Sequence, residues 1–200
     1  MPANLSSIAV YCGSNSGSDP RFSEAAEALG ALLASRGIRL VFGGGRVGLM
    51  GIIADAVLGH GGEVHGVITR ALQDKEIAHP NLTALQIVET MHARKAAMAD
   101  ASDGFVMLPG GYGTFDEFFE VVTWTQLGIH SKPCGVLNVS GFFDPMREQL
   151  RLATEHGFVR VEHRDMVIFD ADAESLLDRL GSWTRGTAEK WIGRGSSTTS

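Results

Sequence analysis

Short apolar runs alternate with longer amphipathic stretches along nearly the whole chain, and that alternation leaves few folds open. The apolar runs 8–12, 39–42, 63–68, 85–88, 104–108, 134–139 and 166–169 have strand length and strand composition. Between them, residue spacing predicts helices over 21–36, 49–59, 91–101, 115–127, 145–156 and 173–180. In the first, Phe22, Ala25, Ala26, Leu29 and Leu33 recur at helical intervals and define one buried face. Gly37, Gly59, Gly157 and Gly181 stand where helix C-caps belong. A helix after each strand returns the chain to the edge it started from, so the strands run parallel and both sheet faces are covered. The expectation is an α/β protein, a Rossmann-like doubly wound parallel sheet flanked by helices, in a single domain over residues 1–183. A polar, glycine- and serine-rich tail, 184–200, is expected to be flexible.

In such sheets ligands bind beyond the carboxyl ends of the strands. The turns after Cys12, Phe42 and Leu108 fall at that edge and are rich in glycine or serine. The stretch 70–83, containing Pro80, reads as a long loop or a short helix over the same edge. The third turn is the most telling: Pro109-Gly110-Gly111-Tyr112-Gly113-Thr114-Phe115-Asp116-Glu117. Glycines opening a helix leave backbone N–H groups pointing outward, a natural seat for phosphate. The same turn then places Asp116, Glu117 and Glu120 on the first turns of the helix. A phosphate seat beside carboxylates suits chemistry on a nucleotide better than storage of one.

Each candidate carries a plainer alternative. Thr114 and Glu117 have the spacing of a capping box, which would satisfy two N–H groups and involve no chemistry. Three glycines immediately before Thr114 exceed what a cap requires and favour catalysis. Glu120, three residues on, shares the face of Glu117. Arg94 interrupts an apolar stripe of Met91, Ala97, Met98 and Ala101; its head either snorkels to water or enters a site at the sheet edge. Lys95 is a surface charge or a second substrate contact. Gly43-x-Gly45-x-x-Gly48 has the form of a dinucleotide fingerprint, but it follows the second strand, and the next strand ends in Thr69-Arg70 rather than an acid. Arg70 leaves a 2′-phosphate conceivable, yet close backbone approach to a mononucleotide or a helix explains these glycines better.

Other functions are excluded by what is missing. A net charge of −6 without any basic run gives no footprint for nucleic acid. Neither glycine loop is followed by Gly-Lys-Ser/Thr, so a P-loop ATPase is not indicated. Lys75, Lys95, Lys132 and Lys190 lie in no pattern that fits pyridoxal phosphate, and the histidines show no ligand spacing. No metal and no cofactor are assigned. Cys12 and Cys134 are far apart in apolar surroundings and read as buried free thiols. Neither a secretory signal nor a bilayer-length apolar stretch is visible, so the expectation is a cytoplasmic protein without membrane contact.

Pro109-Gly110-Gly111-Tyr112-Gly113-Thr114-x-x-Glu117, with Met91-His92-x-Arg94-Lys95 upstream, resembles the Lonely Guy (LOG) family of cytokinin-activating phosphoribohydrolases, once labelled lysine decarboxylases. The likeness extends from Ala9-Val10-Tyr11-Cys12-Gly13-Ser14 through Gly43-Gly44-Gly45 and Gly48-Leu49-Met50-Gly51 to about Leu180. It implies cleavage of the bond between adenine and ribose 5-phosphate in N⁶-prenylated adenosine monophosphates. It implies Glu117 and Arg94 as catalytic residues, with substrate contacts from Gly13, Ser14, Gly44, Gly45, Glu76, Lys95, Thr123, Asp116, Glu120 and the stretch Pro109 to Thr114. Thr123 reads equally as a buried helix threonine. Glycoside cleavage passes through a cationic sugar, which a carboxylate at Glu117 would offset while activating water. An arginine holds its proton too firmly to act as an acid, so the expected role of Arg94 is electrostatic.

The resemblance also implies a homodimer, in which Phe118, Phe119, Val122 and Trp124 would form an interface or simply core. The rival reading is a nucleotide or molybdenum-cofactor carrier on the same scaffold, which would need the glycine loops but not Arg94 and Glu117 together.

Overall fold

Ser7–Tyr11 is buried at every position, as a strand covered on both faces must be, and it forms the centre of the sheet as β1. The computed structural model describes residues 5–75 and 78–184. The other strands are β2 (Arg39–Phe42), β3 (Val64–Thr69), β4 (Ala84–Val88), β5 (Gly104–Met107), β6 (Cys134–Leu137) and β7 (Val167–Asp170). They form one sheet in the order β4-β3-β2-β1-β5-β6-β7, with every neighbouring pair parallel. The helices are α1 (Pro20–Ser35), α2 (Gly48–Gly59), α3 (Arg70–Gln73), α4 (Met91–Asp100), α5 (Tyr112–Leu127), α6 (Asp144–Glu155), α7 (Val161–Arg164) and α8 (Ala173–Ser182).

Alternate strand residues feed two separate cores. Ile8, Val10, Leu40, Phe42 and Val106 meet α1, α2 and α8 through Leu29, Leu33, Ile53, Val57 and Leu177. Ala9, Tyr11, Val41, Phe105 and Met107 meet α4 and α5 through Met98, Phe118 and Val121 on the opposite face. Each buried Leu or Phe contributes about 1.5–3 kcal/mol. Phe118 is therefore core rather than interface, while Phe119, Val122 and Trp124 are half-buried. Both cysteines are buried and free, and burial pushes their thiols well above the usual value.

Several details correct the sequence reading. Gly61, at φ 74°, follows α2 in the left-handed conformation assigned to Gly59, which is the last residue of the helix itself. Gly181 lies inside α8, whereas Gly37 and Gly157 sit at helix ends with positive φ as expected. The run 134–139 is strand only to Leu137. Asn138 turns the chain, its side chain accepting from the Phe143 N–H and donating to Asp144, both at 2.8 Å. Stretch 70–83 begins with the short α3. From residue 185 on, the polar tail lies outside the described residues.

Candidate active site

β1 and β5 are neighbours whose chains leave in opposite directions, so the crevice between them at the carboxyl edge is the topological switch point. Three glycine turns converge there. The Gly13 N–H donates to the Pro109 carbonyl at 2.9 Å, and the Leu49 N–H donates to the Gly13 carbonyl at 3.0 Å. Gly48, at φ 59°, lies so close to Ser14 that a Cβ would come within 2.3 Å of its carbonyl carbon. A Cβ on Gly110 would fall 2.1 Å from the Thr114 hydroxyl and 2.8 Å from the Gly13 nitrogen. Only glycine fits at either place. The first and third turns, with Phe22, Leu49 and Phe142, enclose a cavity of about 280 Å³. A larger cavity, about 690 Å³, lies away from these turns, where α6, α7, β7 and α8 meet. Three of its four arginines, Arg151, Arg164 and Arg179, are paired with acids, and the fourth, Arg147, lies over the Phe169 ring.

α5 starts at this crevice. α1, α4 and α8 are capped by the side chains of Asp19, Thr90 and Asp172, but α5 begins on Gly111 with no side-chain cap. Its leading N–H groups, at the positive end of the helix dipole, face the crevice mouth beside Tyr112, which is 98% exposed. The capping box is not formed. The helix starts at Tyr112, three residues earlier than the apolar pattern indicated, so Thr114 and Glu117 lie within it. Thr114 is buried against Gly110.

Glu117 points instead at Arg94. The Arg94 Nη1 donates to Glu117 Oε1 at 2.6 Å and its Nε donates to the Val67 carbonyl at 2.9 Å. Arg94 is only 6% exposed, so the snorkelling alternative is overturned. Its head rests against Gly43, where a Cβ would come 1.9 Å from Nη2. Burial raises the Glu117 carboxyl above its ordinary value; the Arg94 charge and hydrogen bond pull it back without cancelling the rise. Breaking such a pair by removing one partner costs about 3–5 kcal/mol, because the other charge stays buried.

A second, wetter set of ion pairs runs alongside. Lys95 Nζ reaches Asp116 at 3.1 Å and Glu120 at 3.2 Å. Thr123 is exposed and its hydroxyl donates to the Phe119 carbonyl of its own helix at 2.7 Å; the buried threonines of α5 are Thr114 and Thr125. Ser14 is exposed at the crevice, whereas Gly44 and Gly45 are buried away from it, Gly44 against Ile68 and Leu85 and Gly45 paired with Ala78. Glu76 lies outside the described residues. Arg70 pairs with Glu89 at 3.1 Å. No group of three or more histidine, cysteine or acidic side chains that could hold a metal is found among the described residues. Gly43 was legible only as part of a glycine run. His79 and its partner Asp55 gave no sequence signal.

A family model described as "possible lysine decarboxylase" matches residues 50–180. A probable cytokinin riboside 5′-monophosphate phosphoribohydrolase of Oryza sativa subsp. japonica is 47% identical over 182 residues, covering 91% of this chain and 82% of that one. A cytokinin riboside 5′-monophosphate phosphoribohydrolase of Arabidopsis thaliana is 44% identical, covering 86% and 81%. Among solved structures, a molybdenum cofactor binding protein of Rippkaea orientalis superposes with a TM-score of 0.66 at 20% identity, covering 86% and 93%. That likeness shows a shared fold.

Proposed function

The chain belongs to the family of cytokinin riboside 5′-monophosphate phosphoribohydrolases, and from that premise we propose how its residues divide the work. The reaction is hydrolysis of the N-glycosidic bond of adenosine 5′-monophosphates, N⁶-prenylated ones above all, giving the free base and ribose 5-phosphate. The observation that carries this assignment is the buried Arg94–Glu117 pair standing beside an uncapped, glycine-built helix start. A carrier has no need of that pair.

The phosphate rests on the N–H groups of Gly110 to Thr114, whose dipole favours an anion. That seat fixes the anomeric carbon near Glu117. As the C1′–N9 bond breaks, its electron pair leaves with the purine and the sugar becomes cationic. The Glu117 carboxylate offsets that charge and takes a proton from the water that adds to C1′. The purine anion takes up a proton from solvent and Glu117 returns its own to solvent, so neutral base and ribose 5-phosphate leave and the carboxylate is restored. Arg94 keeps Glu117 ionised and aimed despite its burial. Asp116 and Glu120, tied to Lys95, lie on the same helix within reach of ribose hydroxyls. Lys95, held between two carboxylates, stays a charged ammonium and is a poor candidate for a Schiff base. One domain, 1–183, carries the activity. Two copies associate through the half-buried apolar flank of α5. Two free thiols, and the absence of any described helix long and apolar enough to cross a membrane, fit a cytoplasmic setting.

Purified protein incubated with AMP, prenyl-AMP and the matching nucleosides tests the reading. Hydrogen bonds to a charged group contribute about 1.5–3 kcal/mol each. Losing two or three with the phosphate lowers kcat/KM at least about a hundredfold. Chromatography should show free base from the monophosphates alone, with or without a chelator. Equal turnover of adenosine and AMP would remove the phosphate seat.

Gly43→Ala tests the arginine independently. The added methyl evicts the guanidinium from its place against the turn, so activity should fall about as far as in an Arg94 variant. Parental kcat/KM in Gly43→Ala would mean that the position of the Arg94 head is immaterial to the chemistry.

A further inference from the structure

His79 stands in the segment between α3 and β4, at the carboxyl edge of the sheet, with its side chain only 4% exposed. Both ring nitrogens are engaged. Nδ1 accepts from the Asn81 N–H at 3.3 Å, so the proton is on Nε2, which donates to Asp55 Oδ1 of α2 at 3.0 Å. The backbone around it is tied to the second glycine turn. The His79 N–H donates to the Gly44 carbonyl at 2.8 Å, and Ala78 pairs with Gly45 in an isolated antiparallel bridge. Gly44 has φ 73°, and its backbone lies against Gly66, where a Cβ would come within 3.0 Å of the Gly44 Cα. The turn is therefore gripped on one side by β3 and on the other by the His79 segment. Its first residue, Gly43, is the wall against which the Arg94 head rests.

A histidine buried merely to fill space would not need a carboxylate brought from another helix. Asp55 is 74% exposed and loses little by hydrating instead, so the bond serves to hold His79 rather than to satisfy Asp55. α2 itself is registered to the site, since the Leu49 N–H binds the Gly13 carbonyl at 3.0 Å. Asp55 thus ties the segment to the helix that already carries the crevice.

We propose that His79 is a positioning residue for nucleotide hydrolysis. Locked to Asp55, it presses residues 78–79 onto the Gly43–Gly45 turn and so fixes the wall shared by the bound nucleotide and the Arg94 guanidinium. The proposal rests on the hydrolytic reading above. Its first test is placed on Asp55, which is exposed and can be changed without disturbing the core. Asp55→Ala removes the acceptor; Asp55→Asn keeps Oδ1 and serves as the rescue.

In Asp55→Ala the KM for AMP should rise about fivefold, the equivalent of one hydrogen bond, while kcat stays within about twofold. The His79 amide should exchange with deuterium faster, because its bond to Gly44 opens more often. The thermal midpoint should move by less than about 2 °C, as for a surface change. Asp55→Asn should restore both KM and exchange. His79→Gln, whose amide can still donate to Asp55, should keep a lower KM than His79→Leu. Unchanged exchange at His79 in Asp55→Ala overturns the clamp. Faster exchange with an unchanged KM overturns its role in the reaction, as does a fall in midpoint without any change in KM. If the parent protein turns over neither AMP nor prenyl-AMP, the hydrolytic reading fails by itself. The AMP dissociation constant, from calorimetry on parent and Asp55→Ala, then replaces KM and decides the clamp alone.

Discussion

Glu117→Gln yields a folded protein that binds nucleotide and releases base about 10²–10⁴ times more slowly than the parent. The helix start does not depend on this side chain, because α5 begins on Gly111 and Glu117 lies inside it. Glutamine can still accept from Arg94 Nη1, so the local geometry persists. What disappears is the negative charge beside the anomeric carbon and the ability to take water's proton. Removing that charge also leaves a buried guanidinium without its counter-ion, so some stability is lost, though less than the roughly 3–5 kcal/mol of a full truncation. The pH profile supplies a second signature. Burial raises the Glu117 carboxyl above its ordinary value of 4.5, and catalysis needs the ionised form. As pH falls through that raised value the carboxylate is lost, so the acid limb of kcat/KM lies above 4.5 and vanishes in Glu117→Gln. Base release near the parental rate would pass the role to Asp116 or Glu120.

Arg94 should be nearly as sensitive, and lysine should not replace it. The guanidinium makes two directed contacts, to Val67 and to Glu117, with its Nη2 end set against Gly43. An ammonium is a compact point charge that cannot reproduce that planar fork. Arg94→Ala leaves Glu117 buried and unpaired, which costs about 3–5 kcal/mol or drives the carboxyl to protonate. Losing the electrostatic support of the reacting group lowers kcat by about 10²–10³. Arg94→Lys should fall close to Arg94→Ala in kcat/KM, with the acid limb moved to still higher pH in both. Near-full activity in Arg94→Lys would reduce the residue to a structural counter-ion.

The strands were legible because strands covered on both faces must be continuously apolar, as in Gly104–Met107 and Cys134–Leu137. Longer helices were legible from their apolar spacing. α7, with four residues, is too short to show a period. The start of α5 was misplaced for a physical reason: a glycine N-cap leaves no side-chain signature, whereas Thr114 and Glu117 imitate one. Local spacing described Arg94 as a charge on an apolar stripe, but its partner lies 23 residues away and only the fold brings the two together. His79 and Asp55 are 24 residues apart, with no pattern linking them. The glycines were legible as a group. Which neighbour each one admits, such as Arg94 at Gly43 and Thr114 at Gly110, follows only from the packing.

The bonds from Gly13 to Pro109 and from Leu49 to Gly13 have a consequence for synthesis on the ribosome. β1 and α2 emerge early, yet the crevice they border has no second wall until β5 has been made and has slotted in beside β1. A nascent chain halted before residue 104 therefore displays half of a sheet, with an open flank on β1 and no nucleotide site. Insertion of β5 covers that flank and, with the turn and α5 that follow it, completes the site. The open edge passes to β5 until β6 and β7 are added, so newly made protein acquires its site before its last edge is covered.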